Sequence, residues 1–335
     1  MMSVVNGCQS SKAKRKRDDV SPAPETVPKP LIKWVGGKTQ ILEKVIKKFP
    51  SVIENYYEPF VGGGSVLLRL LHAEKQGTIR VKGTIYASDL SHRLIGFYRM
   101  VQREPDALLD QVRFLQAECP RNEGEGPADE KCVTREEAQS CAECYFYWIK
   151  NKLNALTPEE TQTPKGAAIF YFLNETGYNG LYRVNSKDIF NVAFGKRNPS
   201  TIDEFHLRRV SKLLQPVVFQ TRSFTDISPF HFAAGDFLYL DPPYVPIKKT
   251  SFHMYTKEGF RTKDHNNLFR WCHEIKDKGI HLLMSNADAP LVREKFDSRM
   301  WTIEKIDCRR QINSENPGAI AKEVLITYTP LLFSC

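Results

Sequence analysis

The stretch "NYYEPFVGGGSVLLRLLHAEK", residues 55–75, passes from a short aromatic strand pattern through an acid, a proline and three glycines into a helical pattern. Proline lacks a backbone donor and ends a strand, while glycine lets the backbone approach a neighbour that a Cβ would exclude. The turn therefore presents a helix N-terminus beyond the strand end. Neither the GxGxxG nor the GxxxxGK[ST] spacing is present, and Glu58 ahead of the glycines opposes a polyphosphate by like charge. A ligand carrying positive charge suits that acid better; a tight turn with no ligand is the plain alternative.

Working outward, "WVGGK" (34–38) precedes a helical pattern reaching Phe49, and "TIYASD" (84–89) is a second strand closing on Asp89, followed by a helix over Leu94–Gln102. Strand, glycine turn, helix, strand, acid predicts an α/β fold of the Rossmann-like, doubly wound, mostly parallel kind, with its ligand site at the strand ends. Asp89 there can accept both hydroxyls of a ribose; a cap for the following helix is the competing role. From residue 101 to about 215 the pattern is mainly helical and includes the aromatic, Asn-rich run at 170–199. Strands return in "PVVFQTRSF", "DFLYLDPPY", "GIHLLMSNAD" and "EVLITYTP", with helical spans at Asn266–Lys278 and Ala289–Phe296. The expected organisation is a tail (1–29), a sheet domain in two parts (30–100 and 216–335) and an inserted helical segment (101–215).

The formal charge of +9 divides into +3 over residues 1–29 and +6 in the body, so the body itself is basic, which favours a polyanionic partner. The tail joins "KAKRKR" (12–17) to "SPAPETVPKP", a composition that reads as disordered; the basic run suits nuclear import, a grip on nucleic acid, or a solvated arm. No apolar run is long enough for a membrane span, and the secretory pattern is missing, so a soluble intracellular protein, nuclear or cytoplasmic, is expected. Eight cysteines without an export signal read as reduced thiols. Cys141 and Cys144, with Cys119 and Cys132, offer four zinc ligands in principle, but a second close pair is missing and the 141/144 spacing is also helical, so no metal is expected.

"YLDPPY" (239–244) breaks an apolar strand with two prolines, leaving a carboxylate at its tip and a tyrosine beyond. Alkylating the exocyclic amine of a base requires the base to leave its stack, its ring to be held and its nitrogen lone pair to be drawn out of conjugation. Asp241 and the Pro242 carbonyl can accept the amine hydrogens, Pro243 helps fix that carbonyl, and Tyr244 offers a stacking face. A proline-terminated edge strand would not explain the flanking acid and aromatic. The positive ligand suited to Glu58 is then S-adenosylmethionine.

At this point the sequence resembles the Dam-type, D12 class of DNA adenine-N6 methyltransferases, from Leu31 to about Pro330. The resemblance is carried by "KWVGGK", "EPFVGGGSV", "GYNGLYRVNSKDIFNV" and "YLDPPYVP", then "SFHMYTKEGF", "MSNAD" and "KEVLITY" in the same order. It implies a class I methyltransferase fold in which the inserted segment reads DNA. S-adenosylmethionine would be bound by Trp34, Lys38, Glu58, Pro59, Phe60, Gly62, Gly63, Gly64, Asp89, Ser223, Phe224 and Asp241. Asp241, Pro242, Pro243 and Tyr244 would receive a flipped adenine for direct in-line transfer. Tyr178 would enter the stack of double-stranded DNA, Asn179, Leu181 and Arg183 would contact bases, and Lys187, Lys196 and Arg197 would contact phosphates. A monomer is implied.

Two departures stand out. "FNVAFGKR" places Ala193 where the family has a proline and displaces an arginine by one position, so GATC is only the first candidate for the target. "RRQINSENPGAIAKEV" fits loosely, and no catalytic duty is assigned to Arg309, Arg310 or Asn313. Cytosine N4 or RNA adenine as the methylated amine, and a non-catalytic DNA-binding role, are the alternatives.

Overall fold

The computed structural model describes residues 26–38, 40–121, 132–200, 202–247, 259–309 and 320–330. The tail through residue 25, most of "SFHMYTKEGF", and Arg310 and Asn313 lie outside the described residues.

Seven strands form the main sheet: β2 (Tyr56–Glu58), β4 (Ile85–Asp89), β5 (Val217–Thr221), β6 (Phe237–Leu240), β7 (His281–Ala287), β8 (Thr302–Arg309) and β9 (Ile320–Tyr328). A small parallel pair, β1 (Val52–Ile53) with β3 (Arg80–Val81), lies apart from it. The order across the main sheet is β5-β4-β2-β6-β7-β9-β8, parallel from β5 to β7, with β9 antiparallel to both its neighbours. The chain winds outward from β2 through β4 to β5, then returns to place β6 on the other side of β2. That reversal opens a crevice beyond the ends of β2 and β6, the position where doubly wound sheets take ligands.

The predicted α/β fold is therefore present, and the packing shows why. All four residues of β6 are buried, and its side chains alternate between two cores: Phe237 and Tyr239 on one face, Leu238 and Leu240 on the other. Each such side chain contributes on the order of 1.5–3 kcal/mol on burial. The first face is covered by α1 (Leu42–Ile46), α2 (Ser65–Lys75) and α3 (His92–Arg103), and the core continues into α4 (Pro105–Glu118). After α5 (Arg135–Ala138), α6 (Ala142–Ala155), α7 (Pro164–Thr176) and α8 (Glu204–Leu214) extend the same core. The second face is covered by α9 (Thr262–Asp277) and α10 (Pro290–Lys295). Among the described residues no helix is long and apolar enough to cross a membrane.

Besides the small β1 and β3 strands, which were not expected, two elements differ from the sequence expectation. The helix expected up to Phe49 has only five residues, Leu42–Ile46. Strand β8 was not expected at all. It lies at the sheet edge, where Thr302, Lys305 and Asp307 are exposed and only Ile306 of its described side chains is buried, so it lacks the apolar run that marks a central strand.

Helices from the middle of the chain pack closely on α3 at Gly96, where a Cβ would stand 2.5 Å from the Thr161 carbonyl oxygen. Overpacking costs about 1–3 kcal/mol, more than the roughly 1 kcal/mol that alanine gains over glycine as a helix former. Gly96→Ala is expected to lower the urea midpoint of unfolding, and an unchanged or raised midpoint would show that this contact relaxes freely.

Candidate active site

Three carboxylates stand at or just beyond the ends of β2, β4 and β6. Glu58 ends β2, is 2% exposed, and accepts a hydrogen bond from the Tyr56 hydroxyl at 2.7 Å. Burial, reinforced by the nearby Asp241, lifts its pKa to about 8. Asp89 ends β4, where burial raises it to about 6 although its oxygens accept the Ser91 amide at 3.0 Å and the Gly62 amide at 3.2 Å. It thus ties the glycine loop to the next strand, while Ser91 caps α3 by accepting the Leu94 amide. The two roles weighed for Asp89 are separated: capping belongs to its neighbour.

The glycines at 62–64 are required by packing. Gly62 and Gly64 have φ of 46° and 70°. A Cβ at Gly62 or Gly63 would stand 2.9 Å from Trp34, and one at Gly64 would stand 2.7 Å from the Tyr98 hydroxyl. That hydroxyl also donates to the Gly62 carbonyl at 2.9 Å. The loop is thus pressed between an indole and a phenol.

Beyond β6, Lys38 joins the segment predicted to bind cofactor to the one predicted to catalyse. Its ammonium lies 2.8 Å from Asp241 Oδ2, donates to the Gly36 carbonyl at 2.6 Å, and stands 4.9 Å from the centre of the Tyr244 ring. Its side chain is only 5% exposed. Burial raises Asp241 to about 6 against the pull of Lys38. An amine nitrogen thus already sits between the carboxylate and the aromatic face. The Lys38 amide donates to Ser65 Oγ at 3.3 Å, so this segment is pinned to the start of α2. Tyr244 and Val245 are held from the neighbouring strands: the Tyr244 hydroxyl donates to Glu323 at 3.0 Å, and the Val245 amide to Asn286 Oδ1 at 3.0 Å.

The remaining predicted cofactor residues fall into two places. Phe60 and Phe224 have ring centres 5.7 Å apart and both face Phe260, while Ser223 caps the short turn that begins at Phe224. Glu58 and Pro59 line a cavity of about 330 Å³ together with Tyr57, Tyr86, Ser88 and Arg222. Gly62–Gly64 and Asp241 do not line it.

The segment predicted to read DNA follows α7. Tyr178 is 57% exposed and its amide donates to the Ala193 carbonyl at 2.9 Å. A proline would carry the same carbonyl, so the departure at 193 leaves this tether intact. Asn179, Lys187, Lys196 and Arg197 are exposed, and Leu181 is half-buried. Arg183 is folded onto Asn191, with Nε 2.8 Å from Oδ1 and Nη2 3.1 Å from the carbonyl. Tyr182, not singled out from sequence, is buried and stacks on Trp34 at 5.3 Å and 17°. Its hydroxyl accepts from buried Arg93 at 3.1 Å, and Arg93 also bonds Asp188 through the carboxylate (3.3 Å) and carbonyl (3.2 Å). Asn174 completes the clamp, accepting from the Lys33 amide and donating to the Lys33 and Gly180 carbonyls.

Cys132, Cys141 and Cys144 pack together in the interior, with Cys141 capping α6. Among the described residues no group of three or more His, Cys, Asp or Glu is arranged to hold a metal.

With this geometry in view, the chain belongs to the D12 class of N6 adenine-specific DNA methyltransferases, whose sequence profile matches residues 34–312. It is 34% identical over 293 residues to the type II methyltransferase M.MjaIII of Methanocaldococcus jannaschii, covering 85% of this chain and 93% of that one. It is 28% identical to the DNA adenine methylase of Haemophilus influenzae, covering 88% and 91%, and 29% identical to that of Escherichia coli K12, covering 90% and 95%.

A cation beside a carboxylate favours its ionised form, so removing it raises the carboxyl pKa. Lys38→Met is expected to carry the Asp241 midpoint upward from about 6, followed by carboxyl-carbon NMR with Asp241→Asn for assignment. A midpoint that stays put or falls would mean that the ion pair does not govern this acid.

Proposed function

We propose that the protein transfers the methyl group of S-adenosylmethionine to N6 of adenine in double-stranded DNA, everting the base into the Asp241–Tyr244 site. The observation that carries this reading is the Lys38 ammonium held between Asp241 and the Tyr244 face: the site already accepts an amine nitrogen beside an aromatic ring.

The carboxylates support a cationic ligand. Glu58 rises to about 8 and Asp89 and Asp241 to about 6 because burial penalises their charged forms, and Lys38 is the ammonium paired with one of them. A ligand bringing positive charge relieves that penalty, whereas a polyphosphate adds to it. S-adenosylmethionine fits, and would be held by Trp34, Lys38, the loop from Glu58 to Gly64, Asp89, Ser223, Phe224 and Asp241. When bound, it supplies a methyl group on a sulfonium, a donor that is already activated.

The chain's own residues then position and polarise. Lys38 yields its place beside Asp241 to the adenine amine, and the carboxylate with the Pro242 carbonyl accepts its hydrogens. That draws the nitrogen lone pair out of ring conjugation and aims it along the line of transfer. Pro243 fixes the loop, and Tyr244 stacks on the ring. A carbon–nitrogen bond forms as the carbon–sulfur bond breaks, its electron pair stays on sulfur, and the amine proton leaves through Asp241.

Residues 101–215 form the target-recognition unit in this reading, inserted between the sheet portions at 30–100 and 216–335. Exposed Tyr178 enters the stack, Asn179, Leu181 and Arg183 face base edges, and Lys187, Lys196 and Arg197 meet phosphates. Arg183 must exchange its Asn191 partner for a base to do so. GATC is the first target sequence to test.

Methyl-labelled S-adenosylmethionine and unmethylated duplex should yield label in N6-methyladenine after digestion to nucleosides. Asp241→Ala should slow transfer about 10²-fold or more while circular dichroism stays unchanged. Label in N4-methylcytosine, none with the parent protein, or full activity in the variant would each reject the proposal.

Binding should also depend on pH. A cation favours ionised carboxylates, so affinity should rise as pH climbs from about 6 to about 8 and level off above, with proton release on binding below that plateau. Calorimetry in buffers of different ionisation enthalpy measures this release; affinity that falls over the same interval would contradict a cationic ligand.

A further inference from the structure

We infer that Glu323 is a positioning residue of the methyl-transfer site: it holds the Tyr244 ring at the stacking angle and keeps the phenol from occupying Asp241. The inference rests on the function proposed above and deepens it. The "KEVLITY" and "MSNAD" runs contribute no side chain to the transfer step itself, yet each ends on the loop that follows Asp241.

Topology explains how a residue near the end of the chain reaches this place. A parallel strand would bring its last residues to the crevice, but β9 is antiparallel to β7 and brings its early residues there. Glu323 pairs with Ala287 and Val324 with Asn286, so Glu323 and Asn286 sit side by side at the end of β7. Asn286 Oδ1 accepts the Val245 amide at 3.0 Å, and Glu323 accepts the Tyr244 hydroxyl at 3.0 Å. Adjacent strands thus fix successive residues of the loop, one by its backbone and the other by its side-chain tip.

The acid has a second neighbour. Along β9, Val324 faces one core and Leu325 the other, so Glu323 shares the Leu325 face, as do Tyr239 and Ser285, whose hydroxyls are 2.9 Å apart. That alternation brings Asp241 to the same side, so the Tyr244 hydroxyl lies among two carboxylates, and its hydrogen bond at 3.0 Å goes to Glu323. A phenol has one hydrogen to donate. While that hydrogen is directed to Glu323, Asp241 Oδ2 is left to Lys38 in the free protein and to an amine during transfer. With Glu323 gone the phenol can turn to Asp241, tilting the ring and filling an acceptor site that the amine needs.

Phenol-to-carboxylate bonds are charge-assisted and directional, and a misplacement of about 1 Å can cost about 10²-fold in rate. Glu323→Ala is therefore expected to lower kcat about 10- to 100-fold with KM for S-adenosylmethionine and for DNA within about twofold. Glu323→Gln retains an acceptor oxygen and should recover most of the rate. Adding Tyr244→Phe to Glu323→Ala removes the intruding hydroxyl, so the double variant should be no slower than Glu323→Ala alone. Wild-type kcat in Glu323→Ala, loss confined to KM, no recovery with glutamine, or multiplicative losses in the double variant would each overturn the inference.

A readout free of catalysis accompanies these rates. In the full chain with 13C-labelled tyrosine, the Tyr244 ring resonance, assigned through Tyr244→Phe, should move in Glu323→Ala and stay near its parent position in Glu323→Gln. If the parent protein methylates another base or none while this resonance responds, the proposed function fails and the tether stands. An unmoved resonance removes the tether whatever the activity. Should Glu323→Ala not fold, the glutamine and phenylalanine variants carry the comparison through the same spectrum and rates.

Discussion

The site is organised around one buried ion pair. Lys38 comes from a loop that precedes every strand, and Asp241 from the tip of β6, yet their charged atoms meet at 2.8 Å where the winding of the sheet reverses. A lysine ammonium this enclosed is costly without a partner. The loop at 34–38, the start of α2 and the end of β6 are consequently fixed relative to one another. The Tyr244 ring and the Glu58 carboxyl lie close to that pair. Because the partner is an ammonium, Asp241 is held by a side chain and not by a rigid backbone contact, as the proposed exchange for a substrate amine requires.

Much of this was legible in the sequence because local chemistry demanded it. Pro59 after Glu58 and Pro242 after Asp241 mark where β2 and β6 stop, and the acids before them mark the strand ends where a site was expected. The alternation of Phe237, Leu238, Tyr239 and Leu240 between two cores follows from the strand period alone. Strand β8 escaped because an edge strand covered on little of its surface carries too weak an apolar pattern. The resemblance assigns Lys38 to the cofactor, but its partner across the sheet, Asp241, could not be read because spacing shows only neighbours in the chain. For the same reason Tyr182, Arg93 and Glu323 gave no signal: an aromatic in an aromatic-rich run, an arginine at a helix start and an acid at the head of an apolar strand each have ordinary explanations.

The glycines of the 62–64 loop also meet a demand within the protein that the sequence does not reveal. Beside any ligand, the Trp34 indole and the Tyr98 phenol approach this backbone too closely for a Cβ. Both are held in place from elsewhere: Tyr98 by the stacked Phe219 ring of β5, and Trp34 by the stacked Tyr182. The loop's shape is thus set by the sheet on one side and by the segment after α7 on the other.

Trp34 consequently belongs to two machines at once. Its edge leaves no room for a Cβ on the glycine loop, and its face carries Tyr182, which Arg93 ties to Asp188 at the far turn of the segment proposed to read DNA. Close-packed interiors transmit displacement because they have few voids to absorb it. A shift of the 177–195 segment large enough to unstack Tyr182 must move either Trp34 or the Arg93 anchor, and Arg93 sits on α3, directly after the Asp89 that holds the Gly62 amide. The two routes from the 177–195 segment therefore converge on the same loop, one through the Trp34 indole and one through Asp89 at the end of β4. The 177–195 segment and the glycine loop thus share one set of contacts, through Trp34, Tyr182 and Arg93.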